Sequence, residues 1–180
     1  MKIYTKHGDD GTTGLLYGGR VRKDSELPTA YGTVDEAQAA IGVARAHTEP
    51  GSEVDGLLIG LARDLYVLMA EVATAAENRR KLTDGTSRVT AEMVVALEHH
   101  IDAITERFDM PNEFVIPGNN LVAAHLDLAR TVVRRAERQT MAVVDEHSQV
   151  VPYLNRLSDL LWAMARWQED ESLASRTAGG

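Results

Sequence analysis

From Pro28 onward, apolar residues recur every three or four positions, which is the spacing of amphipathic helices. This pattern predicts five helices, at 29–47, 52–77, 90–107, 119–145 and 150–170. Pro28 and Pro152 suit the first turns of the first and last helices, and Thr90 suits the N-cap of the third. The tail, 172–180, is small and polar and is predicted to be flexible. Strand-like alternation is scarce, so we predict an all-α, five-helix bundle with an irregular glycine-rich N-terminal arm.

The arm, residues 1–27, differs from the rest of the chain because five glycines fall within residues 8–19. Glycines let backbone N–H groups approach an anion closely, and threonine hydroxyls with Lys6, Arg20 and Lys23 add donors and charge. That combination suits a polyphosphate. The arm is neither a G-x-x-x-x-G-K-[ST] phosphate loop nor a G-x-G-x-x-G dinucleotide turn. Composition alone leaves open the alternative of a flexible arm without a ligand.

Composition and charge narrow the classes of function. The chain has 180 residues, with 19 Lys and Arg against 27 Asp and Glu, and a net charge of −8. Such an acidic chain is not expected to bind nucleic acid or an anionic membrane. It has no cysteine, which excludes disulfides, thiolate catalysis and cysteine-based zinc sites. Its apolar runs are far shorter than the roughly 20 residues that span a bilayer, and its start lacks a signal-peptide core, so a cytoplasmic location is expected.

A polar stripe is predicted on the fourth helix, where Arg130, Arg134 and Glu137 are spaced i, i+4, i+7. Two guanidiniums on one stripe can grip phosphates, and Glu137 can hold one of them in place. Arg135 and Arg138 make the segment still more basic. The alternative is a solvated face with an intrahelical salt bridge. Apart from this stripe lies the apolar arc that should face the core: Leu121, Leu128, Val132, Ala136 and Val143.

A second polar stripe, on the fifth helix, consists of Asn155, Asp159, Trp162 and Arg166. Asparagine can read an adenine edge or a ribose, and aspartate can orient an arginine. Ordinary hydrogen bonding between helices explains the spacing equally well. The six histidines do not form H-E-x-x-H, Glu-x-x-His does not occur, and no Ser-His-Asp arrangement can be recognised. Phe114 is unusual because it lies in a short, turn-rich link before the fourth helix.

Four blocks of sequence together resemble the PduO-type ATP:cob(I)alamin adenosyltransferases, a family of corrinoid adenosyltransferases. The blocks are T-K-H-G-D-D-G-T-T-G at 5–14 with R-V-R-K-D at 20–24, A-Y-G-T-V-D-E at 30–36, F-V-I-P-G at 114–118, and A-R-T-V-V-R-R-A-E-R at 129–138 with Y-L-N-R-L-S-D at 153–159. They follow the family's order over nearly the whole chain, and the R-x-x-x-R-R-x-E-R and Y-L-N-R-L-S-D patterns are specific. The resemblance favours a binding role for the arm and for both stripes.

The resemblance implies a single cobalamin adenosyltransferase domain over residues 1–180, with an ATP-binding arm at 1–27, a bundle at 28–171 and the tail at 172–180. It implies a homotrimer with active sites between subunits. The implied reaction transfers the 5′-deoxyadenosyl group of ATP to cob(I)alamin, giving adenosylcobalamin and triphosphate. Cobalt(I) is the nucleophile at C5′, so the protein contributes orientation, shielding of the triphosphate and tuning of the corrinoid. A cobalamin reductase and an adenosylcobalamin-dependent mutase are the expected protein partners, with no nucleic acid or membrane.

The resemblance also assigns roles to residues. Arg130, Arg134 and Glu137 are expected to be catalytic, and Mg²⁺ is expected to be held mainly through the ATP phosphates, with no protein ligand assigned. Phe114 is expected to lie below the corrin, where it displaces the lower base and leaves the cobalt four-coordinate. Asp35 is expected to pair with Arg130 across the subunit interface. The residues expected to bind ATP are Thr5, Lys6, His7, Gly8, Thr13, Gly14, Arg20, Lys23, Arg134, Arg135, Glu137, Arg138 and Asn155.

Three features depart from the family's pattern. His7 stands where a small residue or threonine is usual, and Tyr17 stands where a glycine or small residue is common. Asn119 and Asn120 replace a second glycine and small residues in the link, and Asn119 is expected to cap the fourth helix. The departures at His7 and at Asn119 and Asn120 motivate an alternative function, a carrier that binds ATP and adenosylcobalamin with little catalysis. A purely structural bundle is a third hypothesis.

Overall fold

The computed structural model describes residues 2–169 and 171–175, which form a helical bundle with a small hairpin arm. The predicted all-α fold of five helices is confirmed. A short 3-10 helix, Ala76–Lys81, adds about two turns after the second helix. The five α-helices are α1 (Glu26–Ala46), α2 (Glu53–Val72), α3 (Ala91–Thr105), α4 (Leu121–Thr140) and α5 (Val150–Trp167).

The ends of the helices differ from the predicted ends for local reasons. Helix α2 ends at Val72 rather than 77, because the chain turns to an extended conformation at Ala75 before the 3-10 helix begins. Helix α4 ends at Thr140 rather than 145, and it begins at Leu121. Its N-cap is Asn120, not the expected Asn119: the Asn120 Oδ1 atom accepts from the Ala123 backbone N–H at 2.9 Å.

Two predicted helix-start signals are confirmed. Thr90 caps α3, since its hydroxyl oxygen accepts from the Met93 backbone N–H at 3.4 Å. Pro28 and Pro152 each lie in the first turn of a helix, α1 and α5 respectively, where the missing N–H of proline leaves no hydrogen bond unmade.

The arm is less irregular than the sequence predicts, because it contains a two-stranded antiparallel hairpin of β1 (Thr12–Gly14) and β2 (Arg20–Arg22). The turn between the strands needs left-handed backbone conformations, with φ of +106° at Gly18 and +95° at Gly19. The hairpin attaches to the end of α2, where the Leu16 N–H donates to the Ala73 carbonyl at 3.0 Å. The position of the arm is therefore set by the α2 end of the bundle.

The hydrophobic core lies where α4 packs between α1 and α5, and Leu126 and Val133 are fully buried there. Val132 and Ala136 are buried as the sequence predicts. The prediction that Leu121 and Leu128 face the core is wrong, because these residues are 62% and 53% exposed. The buried face of α4 is centred about a third of a turn from these leucines, on a face richer in alanine. None of the described helices has the length and apolar character to cross a membrane.

The link between α3 and α4 pairs with the segment that follows α5. The Ile116 N–H donates to the Leu173 carbonyl, and the Ser175 N–H donates to the Phe114 carbonyl, both at 2.8 Å. Residues 172–175, which the sequence assigns to a flexible tail, therefore lie against the link. Residues 176–180 of that tail lie outside the described residues.

Candidate active site

The polar stripes of α4 and α5 meet at a hydrogen bond between two half-buried residues, Glu137 and Asn155. The Asn155 Nδ2 atom donates to the Glu137 Oε1 atom at 3.1 Å. On its other side, the Asn155 Oδ1 atom accepts from the Arg156 guanidinium at 2.7 Å. Glu98 of α3 holds that guanidinium at 3.0 Å. Because Arg156 can only donate, this chain of contacts fixes the amide of Asn155 with its N–H groups toward Glu137.

Beside this pair, the arginines of the α4 stripe differ in whether their guanidiniums are paired with other residues. Arg134 and Arg138 are exposed and make no hydrogen bond or ion pair within the described part of the chain. Arg135 pairs with Glu36 of α1 at 2.5 Å, with both side chains about half exposed. Two cations next to a carboxylate and an amide thus face solvent, ready for a polyanionic ligand.

Arg130, the remaining member of the α4 stripe, is held by a buried network. Its Nε atom lies 3.1 Å from the Asp127 Oδ1 atom, and the other oxygen of Asp127 accepts from Arg166 of α5 at 2.7 Å. Arg166 in turn pairs with Glu169 at 2.9 Å. The side chains of Asp127, Arg166 and Glu169 are at most 6% exposed. Two positive and two negative groups make the network electrically balanced.

The sequence reasoning missed Asp127 and Glu169 as members of this site. A signal was present for each, because Asp127 precedes Arg130 by three residues and Glu169 follows Arg166 by three, the spacing of ion pairs on one helix face. An aspartate within the buried face of α4 needs a charged partner, which α5 supplies.

A cavity of about 700 Å³ opens between this network and the link before α4. Its lining includes Arg130, Trp162 and Arg166 from the helices. The link contributes Pro111, Asn112, Glu113, Phe114, Val115 and Pro117. Phe114 belongs to this lining, and 88% of its surface is exposed. A volume of this size is within the range of small-molecule sites, and the lining combines apolar side chains with charged ones. The cavity can therefore receive a large ligand with both apolar and polar parts.

The arm gathers donors around the hairpin. The Arg20 guanidinium donates to the Thr12 hydroxyl at 2.6 Å and to the His7 carbonyl at 2.7 Å. The pKa of Asp10 lies below its ordinary value because the Thr12 hydroxyl and N–H both donate to its carboxylate. Lys6 adopts a φ of +61°, which is left-handed for a residue with a side chain. The start of the arm is therefore tied back to the hairpin through Arg20.

Gly8 lets a lysine approach the loop closely. A Cβ atom at Gly8 would lie 2.9 Å from the Lys23 Nζ atom and 3.2 Å from the Thr12 carbonyl oxygen. Thr13 and Gly14 lie in β1, and Thr5 is exposed with its hydroxyl oxygen 3.4 Å from the His7 N–H. The predicted ATP-binding residues of the arm thus cluster within one compact loop and hairpin.

Within a single chain, the predicted site residues form separate groups. No hydrogen bond or ion pair connects the arm to Arg134, Glu137 or Asn155 among residues 2–169 and 171–175. Asp35 is exposed on α1, and Arg130 pairs with Asp127 of its own chain rather than with Asp35. The described residues hold no group of three or more acidic or histidine side chains that could hold a metal ion.

Comparison with known proteins places this geometry in a family. The sequence model of the family described as Cobalamin adenosyltransferase matches residues 3–168. A corrinoid adenosyltransferase of Citrobacter freundii is 41% identical over 174 residues, which cover 93% of this chain and 95% of that protein. One of Bacillus subtilis is 40% identical over 172 residues, covering 92% of this chain and 86% of that protein.

A solved structure has the same fold. It is a variant of the PduO-type ATP:corrinoid adenosyltransferase from Lactobacillus reuteri complexed with cobalamin and ATP. The two chains are 30% identical, and the TM-score is 0.86 with 97% of each chain covered. The chain therefore belongs to the cobalamin adenosyltransferase family. The expected enzyme activity, which makes adenosylcobalamin from ATP and cob(I)alamin, is confirmed.

Proposed function

We propose that this enzyme binds ATP with its triphosphate between the arm and the Arg134–Arg138 side of α4. The observation that carries the proposal is the 3.1 Å hydrogen bond between Asn155 and Glu137, which joins the polar stripe of α5 to that of α4. Exposed guanidiniums lie next to that hydrogen bond, and the amide and carboxylate suit the ribose and base. Lys6, Lys23 and the threonines of the arm add donors for the phosphates.

Mg²⁺ fits this arrangement. A magnesium ion keeps several waters and is bound through substrate phosphates with one or two carboxylates, so it needs no dedicated protein cage. Glu137 is the carboxylate of the α4 stripe, and it lies between Arg134 and Arg138 in the sequence. The ion would supply positive charge to the triphosphate, and the arginines and lysines do the same from the protein side.

We further propose that the site is shared between subunits of a homotrimer. Among residues 2–169 and 171–175 of one chain, no hydrogen bond or ion pair joins the arm to Arg134, Glu137 or Asn155, although the arm and the stripes both carry groups for the same ligand. Asp35 on α1 is exposed and available to a neighbouring Arg130. An arm from one subunit that closes over the stripes of the next would unite the groups.

The chemistry then follows from the residues present. Cob(I)alamin binds in the cavity as the second substrate, with the ring of Phe114 below the corrin as the resemblance implies. In the transfer a cobalt–carbon bond forms at C5′ while the C5′–oxygen bond breaks, and its electron pair leaves with triphosphate. No side chain has to act as nucleophile. Arg130, Arg134 and the arm cations stabilise the negative charge that develops on the leaving group.

The reaction also indicates which kinds of enzyme supply the substrate and take the product. Its substrate is reduced cobalt(I), so we propose that a cobalamin reductase supplies it in the cytoplasm. An adenosylcobalamin-dependent mutase would take the product.

An anaerobic absorbance assay with cob(I)alamin, Mg-ATP and the full chain tests the assignment. Arg134→Ala is expected to lose about 100-fold or more in kcat/KM, because charge stabilisation of the leaving group is lost. Arg63→Ala, an exposed arginine of α2, serves as the matched control and is expected to retain activity. Turnover in Arg134→Ala equal to that of the control would contradict the assignment.

A further inference from the structure

Just beyond the end of α5 lies a fully buried carboxylate, Glu169. It accepts two hydrogen bonds from the Arg166 guanidinium, at 2.9 and 3.0 Å, and a third from the Ser172 hydroxyl at 2.9 Å. Arg166 is also paired with Asp127 of α4 at 2.7 Å. Glu169 therefore connects the interior of the bundle to the segment that follows α5.

That segment, residues 171–175, holds the link that carries Phe114. Two backbone hydrogen bonds of 2.8 Å join it to the link, one to the Phe114 carbonyl and one from the Ile116 N–H. The side chain of Asn119 donates to the Glu171 carbonyl, which adds a further tie. Phe114 itself is 88% exposed, so side-chain packing within the chain does little to fix its ring. The position of the ring depends on the backbone of the link.

A buried ionic network is suited to act as the fixed end of such a connection. Arg130, Arg166, Asp127 and Glu169 balance in charge, and a satisfied polar network of this kind holds one arrangement. From this fixed end, Ser172 is the first side chain of the following segment that reaches back to Glu169. The path from the core to Phe114 runs through Glu169, Ser172 and the paired segment.

We propose that Glu169 and Ser172 are positioning residues for Phe114, which they act on through the segment 171–175. The inference rests on the proposed function, in which Phe114 lies below the corrin and removes the lower axial ligand. It assigns to the end of α5 a part in setting the coordination of the cobalt. Neither residue touches a substrate in this scheme.

The test uses the full chain with Mg-ATP and cob(II)alamin under anaerobic conditions. Absorption and electron paramagnetic resonance report the fraction of four-coordinate cobalt, and steady-state kinetics report kcat and the KM for ATP. Ser172→Ala removes only one hydrogen bond at an exposed position, so folding is preserved. We expect about a fivefold lower kcat, a smaller four-coordinate fraction and an unchanged KM for ATP.

Two further variants and a control sharpen the result. Glu169→Gln breaks the charge pair with Arg166 and is expected to lower kcat about tenfold, with the same spectral change. Ser172→Thr keeps the hydroxyl and is expected to restore both kcat and the spectrum. Thr48→Ala removes an equally local hydroxyl contact at the end of α1 and is expected to behave as wild type.

The possible outcomes distinguish the positioning role of Glu169 and Ser172 from the proposed role of Phe114, on which it rests. A native four-coordinate fraction in both Ser172→Ala and Glu169→Gln overturns the positioning role, even if Glu169→Gln unfolds at a lower temperature. Wild-type protein that turns over without any four-coordinate signal overturns the role of Phe114, and the positioning role with it. The four-coordinate signal of the wild-type protein is therefore measured before any variant is made.

Discussion

At the scale of single residues, Tyr153 of α5 and Asp64 of α2 form a hydrogen bond. Tyr153 is fully buried, and its hydroxyl donates to the Asp64 Oδ2 atom at 2.9 Å. Burial raises the pKa of Asp64 above its ordinary value, and the tyrosine hydroxyl partly opposes that rise. Because the folded pKa lies above the unfolded pKa, the contribution of this group to stability is present at low pH and is lost as the pH rises through the folded pKa.

Tyr153→Phe is expected to lower the free energy of unfolding by about 1 kcal/mol at pH 7 and by less at pH 4. At pH 7 the variant leaves an ionised, half-buried Asp64 without its donor, whereas a protonated carboxyl needs the donor less. Urea unfolding at both pH values, at one protein concentration, measures the difference. Tyr66→Phe, at an exposed tyrosine of α2, is the control. Equal losses at both pH values would exclude a role for Asp64.

Other single residues show what the sequence could and could not predict. His7 departs from the family's pattern, yet the structure uses its backbone carbonyl, which any residue provides. Tyr17 has a φ of +62°, a conformation that favours glycine, and its hydroxyl lies 3.4 Å from the Ser87 Oγ atom. The sequence identified both positions but not the backbone roles. Those depend on contacts with residues far away in the chain.

At the scale of elements, the start of α4 is fixed by the side-chain amide of Asn120, whose oxygen and nitrogen atoms each make a hydrogen bond. The Asn120 Oδ1 atom caps the helix by accepting from the Ala123 N–H at 2.9 Å. Its Nδ2 atom donates to the Gln168 carbonyl at the end of α5, at 2.6 Å. One amide thus caps α4 and ties it to the end of α5.

Replacing this amide by stages separates its two functions. Asn120→Ala is expected to cost about 1–2 kcal/mol of unfolding free energy, because the cap and the tie to α5 are both lost. Asn120→Asp keeps the cap acceptor and loses only the donor, so it is expected to cost about half as much. Urea unfolding measures both. Gln149→Ala, at the α5 N-cap residue that makes no side-chain cap bond, is the control. Identical losses in Ala and Asp would show that the cap contributes nothing.

The five helices could be predicted because their apolar spacing repeats over many turns. The hairpin could not, since three-residue strands such as Thr12–Gly14 are too short to show alternation. The buried face of α4 was misjudged because apolar character alone does not distinguish a core position from an exposed one. Leu121 and Leu128 are the two positions where this matters.

At the scale of the whole molecule, those two leucines lie on an exposed α1–α4 surface. His125, between them on α4, stacks on His47, the C-cap residue of α1, with ring centroids 5.0 Å apart. Val43 of α1 is also 45% exposed. Several neighbouring apolar side chains in solvent are typical of a surface that another chain covers. The exposed leucines are therefore consistent with the proposed homotrimer.

A shared site predicts recovery of activity in mixed trimers. Lys23→Ala damages the arm and Arg134→Ala damages the stripe, so each is expected to be nearly inactive alone. When the two are unfolded together and refolded as mixed trimers, about one quarter of the sites would combine an intact arm with an intact stripe. The anaerobic assay should then recover up to that fraction of wild-type turnover. No recovery from trimers shown to be mixed would place the arm and the stripe of each site in one chain.

The control for the mixed-trimer experiment is a variant that is expected to change only the number of chains in the assembly. Leu128→Lys puts a charge into the exposed apolar surface, and it is expected to shift the mass from three chains of 19.7 kDa to one. Because Leu128 lies outside the core, the isolated chain should keep its helical content. If both damaged variants also carry Leu128→Lys, recovery should disappear, because arms and stripes on separate chains no longer meet. Recovery that persists in such monomers would mean that the site does not require the trimer.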